Sequence, residues 1–251
     1  MSALVLGVPS KGRLKEQTAE FFNVAGYRIE PLGGARGYFA RLVGLPGVEV
    51  RLLSAAEIAS GVLSGDIHIG VSGEDLLREQ AGDLERLAHL LAPLGFGFAN
   101  LVVAVPKSWI DVETMADLDD VGARREARTR RKLRVATKYT RSTRRFFTAE
   151  GVGHYRIVES AGATEGAPAA GVADLIVDIT TTGATLESNG LRILRDGLIL
   201  ASQAQLAASR NANWPAPALS ALEALMAGIE FKSGRKGRFE EFRALLNHTA
   251  A

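Results

Sequence analysis

The sequence contains no cysteine. A disulfide framework and a thiolate metal site are therefore excluded, and a reducing compartment is the natural setting. No apolar run reaches the roughly eighteen residues of a membrane-spanning helix. The opening MSALVLGVPSKGRLKEQ turns charged early and has no basic segment ahead of its short apolar run, so no signal peptide is expected. The formal net charge is only +2, so the chain as a whole is no polycation. The histidines, His68, His89, His154 and His248, show no metal-ligand spacing. A Gly-x-Ser-x-Gly elbow is absent, as are internal repeats and low-complexity tracts. These absences predict a cytoplasmic, soluble protein with no membrane and no nucleic-acid partner.

What remains is ordinary globular composition, with 47% hydrophobic and 23% charged residues over 251 positions. Short apolar runs alternate with longer helical patterns. Strands are predicted at Leu4–Val8, Val48–Leu53, Ile67–Val71, Leu101–Val105, Leu133–Thr137, Tyr155–Glu159 and Leu175–Ile179. They show little polar alternation, as expected where both faces are covered. Helical spacing marks Leu14–Ala25, Ala55–Ser64, Glu74–Gln80, Thr114–Arg130 and Thr143–Glu150. This alternation predicts an α/β protein with mixed, mostly parallel sheets. Two lobes are expected. The first is discontinuous, residues 1–99 plus 189–251, and the second spans 100–188. After Gly190, LRILRDGLILASQAQLAAS reads as a strand pair or a strand and helix. A helix then starts at PALSALEALMAGI and continues, with a basic break at Lys232–Arg238, to Asn247.

The most informative stretch is DLIVDITTTGATL, from Asp174 to Leu186. A buried strand ends in Asp178 and runs into Thr180, Thr181, Thr182, Gly183, Ala184 and Thr185. Ligands of open α/β sheets sit outside the carboxyl ends of strands. A loop leading into a helix offers unpaired backbone N–H groups, and threonine hydroxyls add donors. The combination is an anion cradle suited to a phosphate monoester. Asp178 would repel phosphate, and two sugar hydroxyls are its natural partner. Phosphate beside a diol describes a ribose 5-phosphate. The plainer alternative, a β–α turn capped by one threonine, does not account for four threonines and an acid.

Other stretches leave two readings open. In VPSKGRL, Lys11 and Arg13 flank Gly12 at a helix start. Two cations at a helix N-terminus suit a polyanion such as pyrophosphate, or they are a solvated basic turn. The spacing Gly7 to Gly12 imitates a P-loop, but Arg13 and Leu14 stand where its Lys and Ser/Thr belong, which excludes that class. GVSGEDLL, Gly70–Leu77, reads as a capped helix. In ESAGATEGAP, Glu165 is a candidate ligand for Mg²⁺ or a helix-capping residue. The basic run Arg124–Lys138 has no aromatic residue interleaved in its basic part and reads as a solvated helix face.

Taken in order, PSKGRLKEQ, GDIHIGVSGEDLL, LRVATKYTRSTRRFF and ESAGATEGAPAAGVADLIVDITTTGATLESNGL resemble the ATP phosphoribosyltransferase family over nearly the whole chain. That family joins ATP to phosphoribosyl pyrophosphate and opens histidine biosynthesis. The resemblance implies a fold like the two-lobed type II periplasmic binding proteins, with a cleft between the lobes. It also implies Mg²⁺ and the family's short form, a homodimer within a hetero-octamer containing a regulatory subunit related to histidyl-tRNA synthetase. Carried onto this chain, Thr180 to Thr185 hold the 5-phosphate, and Asp178 and Asp174 face the ribose hydroxyls. Glu165 takes Mg²⁺ or ribose, and Lys11 and Arg13 face pyrophosphate or triphosphate. Arg36 in GGARGY stabilises the leaving group. One departure is Leu53-Ser54-Ala55, where many relatives carry a basic residue, and it leaves Arg36 and Arg51 as the alternatives for that role.

The implied reaction needs no base, since adenine N1 brings its own lone pair to the anomeric carbon. It needs cations aimed at the leaving pyrophosphate and two aligned substrates. Two rival classes share the pattern. A two-lobed binding module would catalyse nothing. A salvage phosphoribosyltransferase would pair two adjacent acids before its threonines, whereas here Ile179 follows Asp178.

Overall fold

The computed structural model describes residues 4–33, 37–160, 162–234 and 237–249, and the chain divides into two compact units. One contains the chain up to Gly97 and again from Gln203 onward, and the other is Phe98–Ser202.

The first unit opens with β1 (Leu4–Pro9), α1 (Gly12–Val24), β2 (Arg28–Leu32), β3 (Phe39–Val43) and β4 (Val48–Leu53). There follow α2 (Ala55–Ser64), β5 (Ile69–Gly73), α3 (Glu74–Gln80), the single turn α4 (Leu84–Leu87) and β6 (Ala88–Pro93). The second unit holds β7 (Ala99–Pro106), α5 (Met115–Thr129), β8 (Leu133–Thr137), α6 (Thr140–Ala149), β9 (Tyr155–Glu159), a 3-10 turn at Thr164–Gly166, β10 (Leu175–Thr180), α7 (Ala184–Ser188) and β11 (Leu191–Ser202). The chain then completes the first unit with β12 (Ala204–Ser209), α8 (Ala216–Ser233) and α9 (Phe239–Thr249). Among the described residues no helix is long and apolar enough to cross a membrane.

The first sheet has the order β2-β3-β4-β1-β5-β12-β6. β4, β1 and β5 are parallel, so the helices that follow them all start at one edge. Both faces are covered. Leu4, Leu6 and Val8 of β1 pack with Phe22 of α1 and Leu222 of α8, while Val5 packs with Ile58 and Val62 of α2. This two-sided burial is why β1 shows no polar alternation. α2 lies close to the sheet because Gly7 and Gly70 lack side chains. A Cβ on Gly70 would collide with Ile58, and one on Gly7 would stand 3.1 Å from it. The start of α2 is fixed by a capping box, in which Ser54 Oγ accepts from Glu57 N at 3.2 Å and Ser54 N donates to Glu57 Oε2 at 2.8 Å.

The second sheet has the order β11-β7-β10-β8-β9, with β10, β8 and β9 parallel. Leu175 and Val177 of β10 face the α5/α6 layer with Met115, Leu118 and Phe147. Ile176 faces the other way, with Leu186 and Leu191. The period of two then places Asp178 and Thr180 on the same side as Ile176.

Both sheets are mixed, and their parallel strands form the middle of the first sheet and one side of the second. The antiparallel pairs β2/β3, β3/β4, β5/β12, β6/β12, β7/β10 and β7/β11 outnumber the parallel ones, so the sheets are mixed and not mostly parallel as expected. The expected return to the first lobe at residue 189 occurs later, at Gln203. β11 pairs antiparallel with β7, from Leu191↔Pro106 to Ser202↔Ala99, and so belongs to the second sheet. LRILRDGLILASQAQLAAS is thus two strands in two different sheets.

Candidate phosphoribosyl site

The carboxyl ends of β8, β9 and β10 lie side by side, because these strands are parallel neighbours. Three loops therefore gather at one edge: Lys138-Tyr139 after β8, residues 162–167 after β9, and the threonine loop after β10. A cavity of about 310 Å³ opens there, bounded by Glu165, Asp178, Thr180 to Thr182 and Thr185.

The threonines do separate jobs. Thr180 Oγ1 accepts from Gly183 N at 2.8 Å, and Thr182 Oγ1 accepts from Ala184 N at 3.4 Å. Thr181 Oγ1 donates to the Phe98 carbonyl at 3.2 Å, which ties the loop to the start of β7. Gly183 precedes α7 with φ +79 and has no side-chain cap. That is left-handed backbone, which costs a residue with a Cβ about 1–2 kcal/mol. Open space surrounds the position, so a methyl group meets no atom within 4 Å. Gly183→Ala is accordingly expected to act through backbone strain alone. It should raise KM for the phosphoribosyl substrate about three- to tenfold with kcat little changed. A steady-state titration of that substrate checks it, and an unaltered KM would show that the loop binds nothing.

Asp178 is partly buried, and Ile179 N donates to its Oδ1 at 2.8 Å. Burial raises its pKa above the ordinary carboxylate value, and the nearby charge of Glu165 adds to this. The Ile179 N–H, the charge of Lys138 and the Thr164 hydroxyl pull the other way without cancelling the rise. Glu165 sits in the 3-10 turn, directly after Ala163 at φ +49 and Thr164. A non-glycine residue in that conformation is strained, and such strain gathers at ligand sites. Thr164 is buried, and its Oγ1 donates to Ser160 Oγ at 3.0 Å, which anchors the turn.

Asp174 is not part of this group. It precedes β10, four residues before Asp178, which is about 13 Å of strand away at the opposite end. Its carboxylate accepts from Arg134 N at 2.8 Å, Arg134 Nη2 at 3.0 Å and Arg125 Nη1 at 3.1 Å. Burial raises its pKa, but the Arg134 hydrogen bonds and the two guanidinium charges outweigh that and hold it below the usual value. Asp174 thus joins β8, β10 and α5, and part of the basic run at 124–138 serves this ion pair.

Lys138 is a member of the site that sequence reading passed over. It follows the buried Thr137 at the end of β8, is exposed, and lies 5.2 Å from the Tyr139 ring centroid. Its charge reaches Asp178. The available signal was a lysine immediately after a strand that neighbours β10.

Lys11 and Arg13 lie in the first unit, at the carboxyl edge of the parallel trio. Ser10 N donates to the Leu53 carbonyl at 2.8 Å, joining the ends of β1 and β4. Lys11 occupies the N-cap position of α1, with no side-chain cap and no acid in the first turn. The helix therefore presents open N–H groups beside two exposed cations, an arrangement that attracts anions. Arg36 falls outside the described residues. Arg51 is paired with Glu49 at 2.7 Å, and Ser54 is the α2 cap. In GVSGEDLL, Gly73 precedes α3, and Glu74 is held by Arg78 at 2.8 Å and Gln205 at 2.9 Å. Among the described residues, no three His, Asp or Glu side chains cluster closely enough to hold a metal ion.

Comparison with known proteins gives a consistent result. The family model described as ATP phosphoribosyltransferase matches residues 54–230. An ATP phosphoribosyltransferase from Caulobacter vibrioides is 60% identical over 235 residues, which cover 94% of this chain and 73% of that protein. In the ATP phosphoribosyl transferase (HisG:HisZ) complex from Thermotoga maritima, a chain aligns with TM-score 0.64 and 26% identity, covering 91% of this chain and 99% of that one. A histidine kinase sensor domain with similarity to periplasmic binding proteins aligns at TM-score 0.51 and 16% identity, over 97% of this chain and 95% of that one, which is a likeness of fold.

Proposed function

The chain belongs to the ATP phosphoribosyltransferase family, and we propose how its own residues serve that reaction. It condenses ATP with phosphoribosyl pyrophosphate to give N1-(5-phosphoribosyl)-ATP and pyrophosphate, the first step of histidine biosynthesis. The observation that carries the assignment of residues is the cavity at the β10 edge. It combines four threonines, Thr180, Thr181, Thr182 and Thr185, with the two carboxylates of Glu165 and Asp178.

In this reading the threonine loop holds the 5-phosphate through hydroxyls and the N–H groups at the start of α7. Asp178 accepts hydrogen bonds from the ribose hydroxyls, and its partial desolvation favours a neutral donor–acceptor partner over bulk water. Asp174 keeps the strand in place and touches no substrate. Lys138 supplies a cation for phosphate oxygens at this edge, and within the first unit Lys11 and Arg13 offer a separate cationic turn suited to an anion. As adenine N1 attacks the anomeric carbon, the bond to pyrophosphate breaks and negative charge grows on the leaving oxygens. Fixed cations are then worth more than they were in the ground state.

Mg²⁺ suits the donor set at this edge. It binds substrate phosphates together with one or two protein carboxylates, and Glu165 and Asp178 bound the same cavity. When bound it supplies charge neutralisation on pyrophosphate. We further propose a cytoplasmic enzyme working as a homodimer inside a hetero-octamer with a regulatory subunit related to histidyl-tRNA synthetase. The Thermotoga maritima relative, solved as a complex of two kinds of chain, supports a partner subunit.

The test is absorbance of the phosphoribosyl-ATP product from purified chain, ATP, phosphoribosyl pyrophosphate and pyrophosphatase. It is run with and without Mg²⁺ and with and without the synthetase-like subunit. Product that requires Mg²⁺ is expected, with a higher rate when the partner is present. Turnover unaffected by chelation would remove Mg²⁺ from the scheme, and a rate indifferent to the partner would remove the regulatory subunit.

A further inference from the structure

A second cavity, of about 350 Å³, lies in the first unit where α9 meets β6. β12 runs antiparallel to both β5 and β6. The start of β6 is therefore at the sheet edge opposite to Lys11 and Arg13, and the threonine loop belongs to the other unit. Within the first unit the cavity is thus separate from Lys11 and Arg13.

His89 is its centre. The side chain is 13% exposed and stacks on Phe242 with ring centroids 5.9 Å apart. Its Nε2 is the single buried side-chain nitrogen or oxygen without a hydrogen-bond partner among the described residues. Glu241 Oε2, at 3.8 Å, is beyond hydrogen-bonding distance. The Arg238 backbone lies beside the ring and favours its protonated form. Burial, with the charges of Arg238 and Arg210, holds the imidazole below its usual pKa despite Glu241. The ring is therefore neutral near pH 7, and the tautomer protonated at Nδ1 leaves a bare lone pair at Nε2, the nitrogen with no partner.

Two guanidinium groups border this lone pair. Arg210 is fixed by one bond to the Glu85 carbonyl, and no carboxylate pairs with it among the described residues. Arg238 is fixed by a 3.0 Å bond to the Leu90 carbonyl, and its nearest carboxylate, Glu241, is at 3.8 Å and largely exposed. Arg78 is already neutralised by Glu74 and Glu85. The pocket thus offers N–H donors with positive charge and one buried acceptor.

From this complementarity we propose that the pocket binds a protonated phosphate group, either inorganic phosphate or a phosphate monoester. Such a group brings anionic oxygens for Arg210 and Arg238 and a hydroxyl for His89 Nε2. Sulfate has the charge but no proton, a carboxylate lacks the donor, and a metal cation is repelled by the guanidiniums. A bound phosphate would bridge β6, the segment after β12, and the start of α9.

Proton NMR of the full chain tests this, since only four histidines contribute imidazole signals. His89→Gln assigns the His89 resonance by its disappearance. The chain is titrated at constant ionic strength with inorganic phosphate, glycerol phosphate and sulfate. A saturable shift of the His89 signal with phosphate, the ester or both, and not with sulfate, is expected. Which of the two saturates it identifies the source of the group. Arg210→Gln should weaken the apparent affinity about tenfold or more, while Thr180→Val, in the catalytic loop, should leave it unchanged. A resonance that stays still, that follows sulfate equally, or that loses its response in Thr180→Val would overturn the proposal. Arg238→Gln provides the same reading should Arg210→Gln not fold.

Discussion

Asp178→Asn is expected to lower kcat/KM for phosphoribosyl pyrophosphate by about two orders of magnitude, roughly 2–3 kcal/mol of lost charged hydrogen bonding, and to raise the melting temperature at neutral pH. The two effects share one cause. Asp178 is held in a partly desolvated position with Glu165 nearby, and its folded pKa lies above its ordinary value. For an acid shifted upward, the favourable contribution is present below the unfolded pKa and is lost as pH rises through the folded one. At neutral pH the ionised carboxylate therefore burdens the fold. Asparagine removes the burden, and with it the charge and one of the two acceptor oxygens of the proposed ribose contact. Calorimetry at pH 7 and near pH 4, combined with steady-state kinetics, measures both. The stability gain should shrink toward acid. A folded Asn variant with unchanged kinetics would sink the ribose role.

The largest stability effect is expected at the other end of the same strand. Arg134→Ala leaves Asp174, whose side chain is 10% exposed, with Arg125 as its remaining cation. Breaking a buried pair costs about 3–5 kcal/mol, and the remaining arginine should limit the loss to about 2–3 kcal/mol. Asp174→Asn should also destabilise, with a distinct pH signature. The folded pKa of Asp174 is depressed, so its contribution is present above the unfolded value and disappears as pH falls through the folded one. Wild type and Asp174→Asn should thus differ at pH 7 and converge in acid, opposite in sign to Asp178→Asn. Denaturant midpoints across pH give the comparison. Neither change should alter KM for phosphoribosyl pyrophosphate in folded protein. A large KM effect without loss of stability would return Asp174 to the substrate.

The two aspartates show what sequence could and could not deliver. Both precede or end an apolar run, and by composition either could face a ribose. Only the register of β10, paired with β8 and β7, separates them to opposite edges. The well-buried strand Leu133–Thr137, the edge strand Tyr155–Glu159 with its short apolar run, and the helices Ala55–Ser64 and Glu74–Gln80 have the same bounds in sequence and structure. β2 and β3 were not legible, because a half-exposed pair at the sheet margin has no continuous apolar run, and Pro31 argues against a strand except at an edge. The threonine loop was readable as a local cluster. Lys138 was not, because its relation to Asp178 depends on two strands being neighbours far apart in sequence.

β12 also decides when the protein can become whole. It is the strand that connects β6 to the rest of the first sheet, and it lies beyond the entire second unit in sequence. On the ribosome, β1 to β5 emerge early but cannot close their sheet until residue 203 and those after it follow. The second unit is contiguous and can finish first. Meanwhile β5 presents an unpaired edge and β6 has no neighbour. Such an edge is a template for pairing with the wrong chain. The long-range closure is also the slow kind of contact to form. The nascent first unit is therefore the aggregation-prone period of this protein's life, and it ends when β12 inserts between β5 and β6.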